Sequence, residues 1–379
     1  MIYNKRLSSL LIKPAGPDCN LNCTYCFYLE KDKLFNLTKK HRMSEETLKE
    51  IYVQLNEQAD DYISITWQGG EPSLMGLPFY KKSLEMHDKY TPDKIIEYGF
   101  QTNGILLNKY WAKFFSDNRF LLGLSLDGPE HIHDKYRLNA GGKGTFQTVF
   151  DNAKMLLDNN VLVNAMICVN DYSADYPEEI YNFHKELGLT FMQFIPILEP
   201  CKEDPSRSAD YSVNADKYGK FLCRIFDLWM ADFKDGVPTT SIRNFESVFF
   251  NYVGYECPEC TLQNECGKYV VVEHNGNVYP CDFFVEEELL LGNIHKDKLI
   301  KMLNSGKQTK FGTVKKNKKE ICASCEWLSK CFGGCPKDRI KNPYDREHFY
   351  FCESTKTFLT HADKELTGLA ETWKAQNLR

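Results

Sequence analysis

The sequence predicts an α/β fold, a partial (β/α)6 TIM-like barrel followed by a cysteine-rich C-terminal domain. Three observations lead to this fold class. Six apolar, β-rich segments alternate with amphipathic helix patterns, which is typical of a parallel sheet covered on both faces. Polar loops follow the strands, and ligands bind at that end of parallel α/β sheets. From about residue 236 the alternation stops, and short segments between cysteines replace it.

The predicted barrel is open because six strands are fewer than a closed eight-stranded barrel contains. The strands are predicted at 8–13, 62–67, 95–101, 120–125, 161–169 and 191–198. We assign residues 1–235 to the barrel domain and residues 236–379 to the cysteine-rich domain.

The helix signals between the strands are local. Ser44 is a candidate N-cap, and an acidic first turn follows it. Pro177 and Gly188 bracket a second helix, since proline is favoured at the start of a helix and glycine just past its end. A third pattern, at 214–232, carries five large apolar residues on one face: Tyr218, Phe221, Leu222, Ile225 and Trp229.

The second domain has one clear regular element. The segment KYVVVEHNGNVYPC predicts a β-hairpin, with Asn275-Gly276 supplying the turn residues of positive φ. The basic run VKKNKKE at 314–320 predicts a solvated linker and not a binding patch. The remaining segments are short and lie between cysteines.

The composition excludes several classes of protein. The chain has 379 residues, 42% hydrophobic and 26% charged, with a formal net charge of −5, so nothing indicates capture of nucleic acid or of an acidic membrane. The N-terminal segment lacks the length and cleavage site of a signal peptide, and no stretch approaches the roughly 20 apolar residues of a membrane span. We therefore expect a cytoplasmic protein with neither a nucleic-acid nor a membrane partner. Without secretion, the 15 cysteines favour metal ligands over disulfides.

The segment CNLNCTYCFY, residues 19–28, places Cys19, Cys23 and Cys26 in one short loop. At this cysteine content, about 0.02 matches to the spacing are expected by chance. A [4Fe-4S] cluster needs one outside ligand for each of its irons, so three thiols leave one iron open for a substrate or cofactor. A zinc site completed by a distant ligand also fits the spacing.

The flanking segments distinguish these two interpretations. Tyr25 directly precedes the last of the three cysteines, and a GGEP segment at 69–72 follows the second predicted strand. With this arrangement the barrel domain resembles the radical S-adenosylmethionine (radical SAM) enzymes. In that family the open iron chelates the amino and carboxylate groups of S-adenosyl-L-methionine, and one electron from the reduced cluster releases a 5′-deoxyadenosyl radical.

The resemblance implies that six residues bind S-adenosyl-L-methionine: Tyr25, Gln68, Gly70, Ser125, Arg137 and Leu198. Gly70 would let the backbone approach the methionine amino group, where a Cβ would collide. Ser125 and Arg137 fit positions that hold the ribose and the methionine carboxylate. Leu198 and Tyr25 would seat the adenosine. Without the resemblance, Arg137 would be a surface arginine and Leu198 a core residue.

Eight further cysteines lie in the second domain: Cys260, Cys266, Cys281, Cys322, Cys325, Cys331, Cys335 and Cys352. Eight thiols suit two fully ligated [4Fe-4S] clusters or two zinc sites, and spacing alone does not separate these. The order resembles the SPASM domain of peptide-modifying radical enzymes, which favours iron–sulfur clusters and implies three [4Fe-4S] clusters in all. It implies a first auxiliary set of ligands, Cys260, Cys266, Cys281 and Cys335. It implies a second auxiliary set, Cys322, Cys325, Cys331 and Cys352.

Seven segments spread over the chain carry a closer resemblance: LLIKPAGPDCNLNCTYCFYLEK, WQGGEPSL, QTNGILL, GLSLDGP, VYPCDFFV, LGNI and CFGGCPKDR. They resemble the anaerobic sulfatase-maturating enzymes. This implies oxidation of a cysteine or serine, in a Cys/Ser-x-Pro/Ala-x-Arg segment of a sulfatase, to Cα-formylglycine (3-oxoalanine). The radical would abstract hydrogen from the substrate Cβ, Asp282 would take the proton, and Tyr28 would lie near the substrate carbon. The auxiliary clusters would accept the departing electron, and a donor such as flavodoxin or ferredoxin would supply reducing electrons.

Two alternatives stay open on the sequence. A maturase of a ribosomally made peptide, forming a thioether, an epimer or a carbon–carbon crosslink, would use the same two domains. Only 18 residues precede Cys19, so we expect no leader-peptide-binding domain of the kind many such maturases have, which favours the sulfatase enzyme. A zinc protein that uses eleven cysteines structurally is the other alternative. Without the resemblance, Asp282 would be an ordinary exposed aspartate after a hairpin.

Overall fold

A computed structural model describes residues 5–35, 39–317 and 320–377. Its strands are β1 (Leu7–Lys13), β2 (Ala59–Trp67), β3 (Ile95–Thr102), β4 (Leu121–Ser125), β5 (Leu162–Val169), β6 (Phe191–Pro196), β7 (Phe233–Lys234), β8 (Val237–Pro238), β9 (Ser241–Ile242), β10 (Val270–Glu273), β11 (Asn277–Tyr279) and β12 (Gly292–Asn293). Its α-helices are α1 (Glu45–Gln58), α2 (Leu77–Tyr90), α3 (Lys109–Asp117), α4 (Glu130–His133), α5 (Phe146–Asp158), α6 (Pro177–Leu187), α7 (Ala215–Ala231), α8 (Arg243–Val253), α9 (Leu299–Leu303), α10 (Gly306–Val314), α11 (Glu320–Ala323), α12 (Leu328–Cys331), α13 (Pro336–Ile340) and α14 (Cys352–Asn377). Short 3-10 helices span Leu29–Phe35, Pro72–Met75, Ser173–Asp175, Cys260–Leu262, Asp282–Phe284 and Glu287–Leu289. Over the described residues, no helix combines the length and the hydrophobicity of a membrane-spanning segment.

The chain packs as two compact units that interleave along the sequence. The first comprises Met1–Ser125, Asp134–Val163 and Gly267–Gly312, and the second comprises Leu126–His133, Asn164–Cys266 and Thr313–Arg379. This division by packing differs from the predicted domain boundary after residue 235. The predicted boundary separates two segments of the sequence and stays a prediction. The physical reason is the predicted hairpin, because its first strand β10 pairs in parallel with β1 and so carries 267–312 into the first unit.

The sheet of the first unit has the strand order β12-β11-β10-β1-β2-β3-β4. The strands from β10 to β4 are parallel, and β11 and β12 are antiparallel to their neighbours. Alternate residues such as Ile63, Ile65 and Trp67 are fully buried, because successive side chains of a strand point to opposite faces. The parallel order brings the carboxyl ends of these strands to one edge, where Lys13 and Glu273 are register partners.

In the second unit β5, β6 and β9 form a parallel set. Helix α14 packs along α7 and also contacts α8. The five apolar residues predicted for one face of α7 are all buried. Burial of a large apolar side chain contributes about 1.5–3 kcal/mol, so burial of this face stabilises the packing of α7 in the second unit.

The local signals in the sequence are confirmed. Ser44 Oγ accepts a hydrogen bond from Thr47 N across 3.1 Å at the start of α1. Pro177 opens α6, and Gly188 ends it in the left-handed conformation with φ 90°. Gly276 takes φ 82° in the turn between β10 and β11.

The prediction of a solvated linker at 314–320 is wrong for Lys315, which is fully buried. Its ammonium donates to the backbone carbonyls of Cys260 and Thr261, each across 2.7 Å. A buried charge requires polar partners in place of water, and the fold supplies them here. Local basic composition does not show where the chain later folds over such a segment.

Candidate active site

The loop of Cys19, Cys23 and Cys26 lies at the carboxyl end of β1. Cys19 is exposed, Cys23 is buried and Cys26 is partly buried. The backbone of the loop is bound by the segment 136–139: Asn22 N donates to Leu138 O across 2.8 Å, and Thr24 N donates to Tyr136 O across 3.1 Å. These bonds hold a loop of irregular backbone in one conformation, which a rigid ligand such as a metal cluster requires.

The loop after β2 docks directly on the residues that enter the cysteine loop. Gly70 N donates to Gly16 O and Glu71 N donates to Asp18 O, each across 2.8 Å. A Cβ on Gly70 would lie 2.1 Å from Asp18 O, far inside contact distance. The sequence predicted a glycine here for approach to the cofactor; the structure shows that backbone-to-backbone contact already requires it.

Glu71 braces the loops after β2 and β3, a role that the sequence analysis missed. Its side chain is 1% exposed, and its Oε1 accepts from Ser73 N across 2.9 Å and from Thr102 Oγ1 across 2.8 Å. Its Oε2 accepts from Asn103 N across 2.8 Å. Burial raises the pKa of Glu71, although the hydrogen bonds from Asn103, Ser73 and Thr102 act in the opposite direction. The side-chain amide of Asn103 donates to Cys19 Sγ across 3.6 Å. The hydrogen bonds of Glu71 are thus connected, through Asn103, to a predicted cluster ligand.

Arg137 is held beside the cysteine loop and is not a surface arginine. It is 6% exposed, and its guanidinium carbon lies 5.5 Å from the centroid of the Tyr25 ring. Thr145 Oγ1 donates to its backbone carbonyl across 2.8 Å. A guanidinium that lies over an aromatic ring near the cysteine loop suits the recognition of a carboxylate.

Two other predicted cofactor residues occupy strand ends. Ser125 is the last residue of β4 and is partly buried. Leu198 follows β6 within the second unit and is fully buried. Both positions are at carboxyl ends of parallel strands, as the sequence predicted, and their contacts with a cofactor stay predictions.

Asp282 and Gln68 meet in the first unit. Asp282 begins a short 3-10 helix directly after Cys281, and it is 7% exposed. Gln68 directly follows β2 and donates from Nε2 to Asp282 Oδ2 across 3.2 Å. The alternative of an ordinary exposed aspartate is therefore wrong for Asp282 on burial alone.

Tyr28 lies deeper than the sequence suggested. It is 2% exposed and packs in a cluster with Phe35, Val271 and Tyr279. Its phenol donates to the Glu273 carboxylate. Burial raises the pKa of Tyr28 well above its ordinary value, and the Glu273 charge adds to the effect.

Lys13, the last residue of β1, is a buried charge that the sequence analysis did not single out. Its ammonium lies 3.6 Å from the centroid of the Tyr28 ring and, among the described residues, has no hydrogen-bond partner. Burial lowers the pKa of Lys13, whereas the charges of Asp282 and Glu273, and then those of Cys281 and Cys26, act to raise it. An ammonium that faces carboxylates and thiols fits a site that binds negatively charged groups. The one available signal was a lysine at the end of a buried strand.

The thiols of the second auxiliary set share one place in the second unit. Cys322, Cys325, Cys331 and Cys352 line a small cavity together with Leu328, Phe349 and other residues. Four thiols around one cavity fit a fully ligated [4Fe-4S] cluster.

The first auxiliary set is distributed differently. Cys260, Cys266 and Cys335 lie in the second unit, and Cys281 lies in the first. Over residues 5–35, 39–317 and 320–377, no group of three or more His, Cys, Asp or Glu side chains is gathered closely enough to hold a single metal ion. The ligand sets therefore stay predictions.

Comparison with known proteins agrees with this geometry. A sequence profile of the radical SAM superfamily matches residues 14–184, and the profile of SPASM, an iron–sulfur cluster-binding domain, matches residues 260–326. The chain is 38% identical to the serine-type anaerobic sulfatase-maturating enzyme of Bacteroides thetaiotaomicron, over 93% of this chain and 88% of the relative. It belongs to the anaerobic sulfatase-maturating enzymes. The cysteine-type enzyme of Clostridium novyi is also 38% identical, over 96% of this chain and 97% of the relative.

The structural comparison supports membership of the anaerobic sulfatase-maturating enzymes. The fold matches native anSMEcpe with bound AdoMet and Cp18Cys peptide at a TM-score of 0.89 and 35% identity, over 97% of this chain and 99% of the other. The predicted fold class, a partial barrel with a SPASM domain, is confirmed. The cofactors of this anaerobic sulfatase-maturating enzyme architecture are S-adenosyl-L-methionine and iron–sulfur clusters, so the zinc alternative is wrong.

Proposed function

We propose that this chain oxidises a cysteine or serine side chain of a sulfatase to Cα-formylglycine. The observation that carries the proposal is the position of Asp282. It is a buried carboxylate, it accepts a hydrogen bond from Gln68 at the carboxyl end of β2, and it directly follows a proposed cluster ligand. Two relatives, each 38% identical to this chain, are named serine-type and cysteine-type anaerobic sulfatase-maturating enzymes, which supports the proposal.

The reaction needs a base at the carbon that is oxidised. The first cluster and S-adenosyl-L-methionine, when bound, supply the 5′-deoxyadenosyl radical that takes a hydrogen atom from the substrate Cβ. Asp282 accepts the thiol or hydroxyl proton of the substrate, and an auxiliary cluster, when bound, would accept the one electron that must also leave. For a cysteine substrate, water would then replace the sulfur, which leaves as hydrogen sulfide. The Gln68 amide occupies Oδ2 of that carboxylate, which leaves Oδ1 for the substrate. Tyr28 supports the site through its contacts with Lys13 and Glu273.

We assign the ligands and cofactor residues as the family resemblance implies. Cys19, Cys23 and Cys26 hold the first cluster. Arg137 binds the methionine carboxylate, for which the planar fork of a guanidinium is suited. Ser125, Leu198 and Tyr25 contact the ribose and adenosine, and the loop of Gly70 receives the methionine amino group. Each auxiliary set holds one further cluster, which gives about twelve irons per chain.

The proposed partners are a polypeptide and a reductant. The substrate is a Cys/Ser-x-Pro/Ala-x-Arg segment of a sulfatase, and the similar anSMEcpe structure contains a bound Cp18Cys peptide. A flavodoxin or ferredoxin in the cytoplasm supplies the electrons. The substrate assignment is supported by the family, in which serine-type and cysteine-type enzymes are both represented.

A peptide assay tests the proposal. Reduced, iron-replete chain is incubated anaerobically with S-adenosyl-L-methionine and a Cys-x-Pro-x-Arg peptide or its serine counterpart. Formylglycine lowers the peptide mass by about 18 units for cysteine and about 2 units for serine, and a peptide with alanine at that position is the control. Cleavage of S-adenosyl-L-methionine without a mass change in either peptide would contradict the proposal and favour a maturase of another peptide.

A further inference from the structure

Arg339 lies on α13 and its charge is buried among backbone carbonyls. It is 6% exposed, and both Nε and Nη2 donate to Gly333 O, across 3.0 and 2.7 Å. Nη1 donates to Asn317 O across 2.8 Å, and Nη2 also reaches Lys315 O at 3.3 Å. The guanidinium therefore clamps one carbonyl of the CFGGC segment and two carbonyls of the segment that follows α10.

The clamped carbonyl connects the two auxiliary sets. Gly333 lies midway between Cys331, a member of the second set, and Cys335, a member of the first. Its nitrogen also approaches Cys331 Sγ at 3.2 Å. The Arg339 charge is thus fixed beside the short segment that supplies one ligand to each proposed cluster.

The charge of Arg339 lacks the usual compensation. Within residues 5–35, 39–317 and 320–377 it forms no ion pair with a carboxylate, although a buried unpaired charge is costly. Burial lowers the pKa of Arg339, and the nearby thiols raise it in part: Cys322, Cys335, Cys266 and Cys331. Those thiols belong to both auxiliary sets, so negatively charged clusters are the partners that this arginine fits.

Lys315 is a second buried cation, and the thiols that act on it belong to one auxiliary set only. Its ammonium donates to the carbonyls of Cys260 and Thr261 at 2.7 Å, next to a ligand of the first set. Burial lowers the pKa of Lys315, and the thiols that oppose this effect are Cys266, Cys335 and Cys260. All three thiols belong to the first auxiliary set.

We propose that Arg339 raises the reduction potential of both auxiliary clusters, and that Lys315 acts on the cluster of the first set alone. A fixed positive charge favours the reduced and more negative state of a nearby iron–sulfur cluster. The inference rests on the ligand sets of the proposed function. Both residues are positioning groups that set an electrostatic environment, and neither touches the substrate.

The test is an anaerobic redox titration of the holoenzyme, followed by electron paramagnetic resonance, with iron measured on the same samples. The auxiliary midpoints are those that remain when Cys19, Cys23 and Cys26 are replaced by alanine. Arg339→Gln is expected to lower both midpoints, and Lys315→Gln is expected to lower only one. Arg339→Lys keeps the charge but loses the planar fork, so its midpoints are expected to stay closer to those of the parent.

Arg224→Gln is the matched control because it removes the same charge from an exposed arginine that pairs with Glu178 at 2.6 Å. Its midpoints should not move. If the midpoints are unchanged in Arg339→Gln at full iron content, the inference is overturned and the cluster assignment stands. Equal shifts of the midpoints in Arg339→Lys and Arg339→Gln would overturn the inference in the same way. If Arg339→Gln loses iron, Lys315→Gln decides the outcome. One lowered midpoint in Lys315→Gln supports the inference, and the absence of any lowered midpoint overturns the inference. A parent chain without auxiliary clusters would contradict the proposed function instead.

Discussion

Gln68 donates a hydrogen bond to Asp282 across 3.2 Å, although 214 positions separate the two residues in the chain. The contact exists because β10 adds to the edge of the sheet beside β1, which brings the segment after β11 to the end of β2. This hydrogen bond connects Gln68, which is predicted to bind the cofactor, with Asp282, the proposed base.

Asp282→Asn is expected to keep the formation of 5′-deoxyadenosine and to lower formylglycine yield by about 100-fold or more, the usual worth of a general base. The amide retains the shape of the side chain but accepts a proton poorly. Both products are measured by chromatography of one reaction mixture. Full formylglycine yield from this variant would remove Asp282 from its proposed role.

Gln68→Leu is expected to have a smaller effect than loss of the base. One hydrogen bond to a charged group contributes roughly 1.5 kcal/mol, which corresponds to about tenfold in rate. The rate of formylglycine formation is compared with that of Gln68→Glu, whose charge would also repel Asp282. If both variants match the parent rate, Gln68 does not orient the base.

Replacement of Cys19, Cys23 and Cys26 by alanine is expected to abolish cleavage of S-adenosyl-L-methionine. Iron should fall from about twelve to about eight per chain, because the two auxiliary clusters remain. Cys223→Ala is the control, since Cys223 lies outside every ligand set and should keep full iron and activity. Normal cleavage in the triple variant would reject the first cluster assignment.

Gly70→Ala is expected to destabilise the chain by about 1–3 kcal/mol, the usual cost of overpacking, and to weaken binding of S-adenosyl-L-methionine. The added Cβ would meet Asp18 O at 2.1 Å, so the loops after β1 and β2 must separate. Gly368→Ala is the matched control, because Gly368 lies inside α14 and, beyond its chain neighbours and the backbone of its own helix, a Cβ there would meet no atom of the described residues within 4 Å. Alanine there should stabilise by about 0.5–1 kcal/mol. Denaturant unfolding under anaerobic conditions measures both, and equal effects would contradict the proposed contact.

Asp232→Asn tests an ion pair far in sequence from every ligand. Asp232 accepts from Lys185 at 2.5 Å and from Tyr181 at 2.7 Å. Burial alone would raise the pKa of Asp232, but these two donors lower it below its ordinary value. Because Lys185 is 39% exposed and screened by solvent, the variant should lose only about 0.5–1 kcal/mol.

The pH dependence of this loss follows from the lowered pKa. The charged form is favoured in the folded chain, so its stabilisation is present above about pH 4 and disappears only as the pH falls through the lowered value. The difference between parent and variant should therefore be the same at pH 8 and at about pH 5.5. Asp117→Asn, in an exposed pair with Lys113, is the control and should change stability little. A difference that shrinks between those two pH values would contradict the direction of the shift.

The sequence was sufficient for features that depend on near neighbours. The spacing of Cys19, Cys23 and Cys26, the N-cap at Ser44 and the buried face of α7 are set by residues a few positions apart. The alternation of strands with helices likewise predicted the parallel sheet. Each of these signals depends on residues that are close together in the sequence, because helix and strand periods repeat within a few residues.

Only the tertiary structure decided which distant groups meet. Tyr28 and Glu273 are 245 positions apart, and their contact depends on β10 pairing with β1, which no local pattern specifies. The burial of Lys13, the docking of Gly70 on Asp18 and the clamp of Arg339 arise in the same way. The charges and hydrogen bonds of these groups take their strength from exclusion of water, and water is excluded only once the separate segments have packed together.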